Sequence, residues 1–152
     1  MKKLLLSVSF SLLVFLSQAQ KYKMALGVRY SNDDAIINNS ISFKYLVAED
    51  WMIESLLSLG KPLAIGIIAE KYKPVLSNRF NYFFGGGAYA SFGKTKTGEE
   101  RYAGLQGIIG LDYKLPVLPV NLSIDWKPEF NLIKNVSLEP AAIGVSARFT
   151  FK

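Results

Sequence analysis

From residue 21 onward, apolar and polar residues alternate with period two, with none of the three-to-four rhythm of an amphipathic helix. That alternation is the mark of a strand whose two faces meet different surroundings. Eight such segments recur, each bounded by turn residues. Residues 21–31 place Tyr22, Met24, Leu26, Val28 and Tyr30 on one face, with Lys23, Ala25, Gly27, Arg29 and Ser31 on the other. Residues 36–47 set Ile41, Phe43, Tyr45 and Val47 against Ser40, Ser42, Lys44 and Leu46. Residues 51–60 set Trp51, Ile53, Leu57 and Leu59 against Glu54 and Ser58, and residues 63–73 set Leu63, Ile65, Ile67 and Ala69 against Gly66 and Glu70.

The second half repeats the pattern. Residues 79–92 oppose Phe80, Tyr82, Phe84, Ala88, Ala90 and Phe92 to Arg79, Asn81, Tyr89 and Ser91. Residues 102–114 oppose Leu105, Ile109, Leu111 and Tyr113 to Gln106, Asp112 and Lys114. Residues 120–131 oppose Val120, Leu122, Ile124, Trp126 and Phe130 to Asn121, Ser123, Asp125, Lys127, Glu129 and Asn131. The last segment, 141–152, opposes Ile143, Val145, Ala147, Phe149 and Phe151 to Gly144, Ser146, Arg148, Thr150 and Lys152.

These segments are longer than the ~5–6 residues usual for soluble strands and match the ~9–11 that cross a bilayer. Their polar faces carry full charges in mid-strand, among them Glu54, Glu70, Asp112, Asp125 and Arg148, and no further strand or helix is left to cover the apolar faces. A closed ring with lipid outside and charge inside gives both faces an environment. The pattern therefore predicts an all-β fold: an eight-stranded antiparallel up-and-down transmembrane β-barrel over residues 20–152. At that strand number the interior is only wide enough for side chains to fill. Lys44, Glu54, Glu70, Arg79, Asp112, Asp125, Lys127 and Arg148 are the expected lumen charges, blocking the bore with their own ion pairs.

The connections fit this scheme. AED, PVLSN and LPVLP are short and fall on one side; SNDD, GKP, the polar stretch 93–101 and KNVSLEP fall on the other. Aromatics gather towards strand ends, as two interfacial girdles would, although strand propensity also enriches them. Pro128 interrupts the seventh strand and predicts a bulge there or an end of regular pairing near the outer rim, since proline donates nothing to a ladder. Ser55 and Lys71 fall on the lipid face, where Lys71 can snorkel. GGG at 85–87 has no following Lys-Ser/Thr or helix start and is read as a bend, not a phosphate loop.

MKKLLLSVSFSLLVFLSQAQ has a positive start, an apolar run over 4–16 and small residues at 17 and 19. It predicts a cleavable signal peptide, 1–19, because the run is too short for a spanning helix. Of the formal charge of +6, Lys2 and Lys3 lie in this segment, which leaves +4 for the remainder. No basic run of the length used by nucleic-acid tails is present, so no nucleic-acid partner is expected. The chain has no cysteine and no histidine. Disulfides are excluded, and so are the commonest general base and metal ligand.

Taken together, these features resemble the small outer-membrane barrels of the OmpX and OmpA-transmembrane type. The carrier of the resemblance is GVSARFTFK, with Val145, Ala147, Phe149 and Phe151 running to the terminus. It is similar to the C-terminal signal read by the outer-membrane barrel assembly machinery, though Lys152 follows the usual terminal aromatic. YAGLQGIIGLDYKLPVLPVNLSIDWKP, 102–128, also resembles small barrel proteins common in the Bacteroidetes. The resemblance implies the cell outer membrane as location, with its lipid and the assembly machinery as partners. Barrel enzymes of that membrane generally use a histidine, so no catalytic activity, cofactor, metal or small-molecule substrate is expected. A structural or surface-interaction role is expected, with a narrow pore or a ligand- or lipid-binding barrel as the alternatives. The candidate surface is the loop bearing Lys94, Lys96, Glu99, Glu100 and Arg101, whose plainer reading is that it keeps the rim soluble. Asp33-Asp34 and Glu99-Glu100 are read as solvated loop charges, not acidic catalytic pairs.

Overall fold

The computed structural model describes residues 22–32, 35–95, 98–99, 102–133, 136–140 and 142–152; the expected signal segment lies outside them. The described elements are all strands: β1 (Met24–Ser31), β2 (Ser40–Ala48), β3 (Trp51–Ser58), β4 (Leu63–Ser77), β5 (Phe80–Phe92), β6 (Lys94–Thr95), β7 (Gly98–Glu99), β8 (Ala103–Lys114), β9 (Val120–Trp126), β10 (Glu129–Asn131), β11 (Ser137–Glu139) and β12 (Ile143–Phe151). Among the described residues there is no helix.

Eight staves form a closed antiparallel barrel. β1 to β5, β8, β9 and β12 follow one another as a meander, and β12 pairs back onto β1 from Met24↔Phe151 to Ser31↔Gly144. Opposed residues can be traced around the ring as Tyr113, Leu122, Ala147, Val28, Ile41, Leu57, Ile65, Ala90 and Ala103. The circuit returns to β8 ten residues away, at Ala103 instead of Tyr113. A stagger of that size over eight strands tilts each stave by roughly 40°. Each residue then climbs about 2.5 Å along the axis, so a stave of about ten residues spans about 25 Å.

Side chains divide by the alternation. Leu26, Val28, Ile65, Ile67, Ile109, Ile124 and Val145 point outward and are exposed, while Arg29, Ser42, Lys44, Glu54, Glu70, Asn121, Asp125 and Arg148 point inward and are buried. Pro128 has the expected consequence. β9 stops at Trp126 and pairing resumes at Glu129 in β10, with the Pro128 carbonyl still accepting the Gly107 N–H. The neighbouring stave breaks at the same level, between β11 and β12.

Four features differ from the sequence reading. Residues 36–39 are not strand; they bend inward and bury Ile37. β4 runs through Pro74 to Ser77, so the turn is Asn78–Arg79 instead of PVLSN. Tyr22, expected on the outer face, packs against the inner hydrophobic cluster, because the chain bends at Lys23 before β1 begins. The inner face is also not uniformly polar. Met52, Leu56, Ala64, Ile68, Tyr72 and Phe83 make an apolar sector inside β3, β4 and β5.

The closing pair of strands depends on a close approach at Gly27. A Cβ there would overlap the Ala147 carbonyl and the Arg148 backbone. Gly27→Val is expected to lower stability by about 1–3 kcal/mol or more, as overpacking does, read as a drop in the urea midpoint of the refolded protein.

Candidate functional site

The site with the most chemistry is the lumen. Arg29, Lys44, Lys114, Lys127 and Arg148 are buried there against Glu54, Glu70, Asp112, Asp125 and Glu129, so the formal charges cancel. Seven of the eight charges expected in the lumen are among these ten. Arg79 is not: it sits half-buried in the turn between β4 and β5, where its carbonyl accepts the Lys114 N–H at 2.8 Å. Arg29, Lys114 and Glu129 complete the set. The alternation had already placed them on polar faces, so the signal for them was in the sequence.

The central hub is built around Arg148 of β12. Arg148 lies opposite Gly27, and Gly27 lies opposite Ser42. With no side chain at Gly27, the guanidinium crosses β1 and donates from Nε to Ser42 Oγ at 2.6 Å. Nη2 donates to Glu54 Oε1 at 2.6 Å and to Ser146 Oγ at 3.0 Å, and Nη1 donates to Ser123 Oγ at 2.7 Å. Ser42 Oγ donates to the same Glu54 oxygen at 2.5 Å. Lys44, directly opposite Glu54, donates to Glu70 Oε2 at 2.6 Å and to Tyr72 Oη at 2.7 Å. Its Nζ also lies 4.4 Å from the Phe83 ring centre, so this ammonium joins the charged sector to the apolar one. Five staves, β2, β3, β4, β9 and β12, are tied by one network.

A second pair mirrors the first across the seam. Arg29 of β1 crosses Gly144 of β12 and binds Asp125 of β9, with Nη2 to Oδ1 at 2.5 Å and Nε to both carboxylate oxygens at 3.2 Å. Above it, Lys127 pairs with Glu129. The Glu129 carboxylate also accepts the backbone N–H groups of Ile36 at 2.7 Å and Ile37 at 3.2 Å. This holds residues 35–37 inside the mouth, with Ile37 as an apolar cork on the inner cluster. At the opposite end, the side chains of Asp112 and Asn121 are buried on neighbouring strands.

The remaining expected residues fall outside the lumen. Val145, Ala147, Phe149 and Phe151 line the outer face of β12, with the Phe149 and Phe151 rings 5.1 Å apart. In the loop 93–101, the backbones of Lys94 and Glu99 are paired in the β6–β7 ladder, while Lys96, Glu100 and Arg101 lie outside the described residues. Among the described residues no group of three or more His, Cys, Asp or Glu side chains is arranged to hold a metal. Comparison with protein-family models, curated proteins and solved structures returns no match.

Removing one partner of a buried ion pair strands the other, at a cost of about 3–5 kcal/mol, whereas replacing both is close to neutral. Arg148→Met is therefore expected to destabilise by that amount, and Arg148→Met with Glu54→Gln to recover most of it, measured by urea denaturation. The latch has its own test. Lys127→Met with Glu129→Leu is expected to leave the barrel folded while the Ile36 and Ile37 amides lose protection in hydrogen exchange.

Proposed function

We propose that this chain is an integral outer-membrane β-barrel with a sealed lumen and a structural or surface-interaction role without catalysis. The observation that carries the reading is the inverted distribution of polarity. Among the described residues thirty-four large hydrophobic side chains are exposed, while ten charged side chains are buried. Soluble monomers rarely expose a contiguous apolar patch beyond a few hundred Å². A belt of this kind needs lipid, and a span of about 25 Å matches the apolar band of outer-membrane barrels.

Two aromatic levels support the same reading. Tyr30, Phe92, Trp126 and Phe130 stand near one rim, and Tyr45, Trp51, Tyr113, Phe149 and Phe151 near the other. Within this proposal the outer row of β12 is the segment read by the assembly machinery, and the loop 93–101 is the surface offered to the outside. The self-neutralised hub, the Glu129 latch and the Ile37 cork argue against a pore. The absence of histidine in the sequence argues against the known barrel enzymes.

The test is membrane extraction. Carbonate-washed membranes are expected to retain the protein, and the unboiled band is expected to migrate faster than the boiled one on a gel. Release into the carbonate wash would sink the proposal. In planar bilayers the wild type is expected to give no conductance above background, and a steady open channel would replace the sealed reading with the pore.

A further inference from the structure

The net charge of the barrel is concentrated at one end. The buried charges cancel. Among the described residues, the connections at the end away from the termini supply Lys61 and Lys94 against Glu99 and Glu139. At the end that carries Tyr22 and Lys152, the described residues supply Lys23, Lys71, Lys73, Arg79 and Lys152 against Glu49 and Asp50. The excess is therefore local, and it lies at the level of an aromatic girdle.

Its densest part is the outer face where β3, β4 and β5 meet. The register sets Lys71 between Trp51 and Phe84, and Lys73 opposite Tyr82. Lys71 Nζ lies 5.5 Å from the Trp51 ring centre, and the Tyr82 and Phe84 rings stack at 6.3 Å. β3 begins opposite Lys71, so β4 continues past it and carries Lys73 on the same outer face beyond the start of β3. Amphipathic rings settle at the headgroup level, and lysine stems carry their ammonium groups outward from apolar surface. An anionic headgroup standing over the rings meets two ammonium groups from one strand.

We propose that this lysine–aromatic face binds the headgroup of an anionic glycerophospholipid. Lys71 and Lys73 take the phosphate, and Trp51, Tyr82 and Phe84 lie against the glycerol and upper acyl chain. The inference rests on the reading of the chain as a membrane barrel.

The sequence has two tryptophans, so Trp126→Phe leaves Trp51 as the only tryptophan reporter; Trp126→Tyr serves if the first variant does not insert. The protein is refolded into vesicles of equal parts phosphatidylglycerol and phosphatidylcholine, with bromine on the acyl chains of one lipid or the other. Insertion is checked by the faster migration of the unboiled band. Lysines near an anionic surface each strengthen attraction severalfold, so quenching of Trp51 is expected to report at least about a threefold local preference for phosphatidylglycerol. Lys71→Gln with Lys73→Gln is expected to bring that preference to about one. Equal quenching by both lipids in the reporter protein would overturn the inference while leaving the membrane barrel intact. A preference that survives the double lysine variant would overturn the assignment to these residues. No quenching by either lipid would remove Trp51 from the bilayer and overturn the barrel reading together with the inference.

Discussion

Seven of the eight pairings around the ring join staves that follow one another in the chain, and the eighth joins Met24–Ser31 to Gly144–Phe151. This last pairing closes a loop of more than a hundred residues, with an entropy cost that the short hairpins do not bear. Without it both strands would present unpaired N–H and C=O groups along their edges. Two arginines secure it from opposite directions. Arg148 reaches from β12 over Gly27 to Ser42 and Glu54, and Arg29 reaches from β1 over Gly144 to Asp125. Each crosses the seam at a glycine, because a side chain on the intervening stave would stand in the path of the guanidinium or of the neighbouring backbone.

The closed ring fixes what the lumen must be. Among the described residues ten buried charges would be ruinous one by one, but they are equal in sign count, and all but Lys114 and Asp112 stand in ion pairs. Serines at 42, 123 and 146 take the guanidinium protons that the carboxylates do not, which keeps Arg148 satisfied without further charge. The apolar sector on β3 to β5 occupies another part of the cross-section. Lys44 stands at the boundary, bound to carboxylate on one side and over an aromatic face on the other.

The two rims differ in kind. One is drawn inward: Glu129 captures two backbone amides and seats Ile37 on the inner cluster. The other holds the positive excess, and there the β4–β5 hairpin overshoots its neighbour and carries lysine beside aromatic rings. Capping one end with apolar packing and lining the other with ammonium groups gives the barrel a direction along its axis, although the staves alone run up and down equally.

Much of this was legible from residue order. Period two assigns every strand side chain to one of two faces whatever its partners are, so the sorting of Lys44, Glu54, Glu70, Asp112, Asp125, Lys127 and Arg148 from Leu26, Ile65 and Val145 follows from parity. Strand number and the interruption at Pro128 follow from turn chemistry and from proline's missing donor. Parity cannot say which inward residues meet. That depends on the ten-residue stagger, which sets Arg148 against Glu54 and Arg29 against Asp125, far apart in the chain. It also cannot say where alternation ceases. Tyr22 leaves its expected face and Ile37 its expected strand because the ends of the bore offered apolar surface to cover, and β4 runs on to Ser77 because β5 continues to pair with it after β3 has stopped. The sequence by itself determined which side of the barrel wall each residue of a stave faces, a local property of an extended backbone; the tertiary structure decided every contact across the lumen and at its mouths, because those distances exist only once the ring has closed.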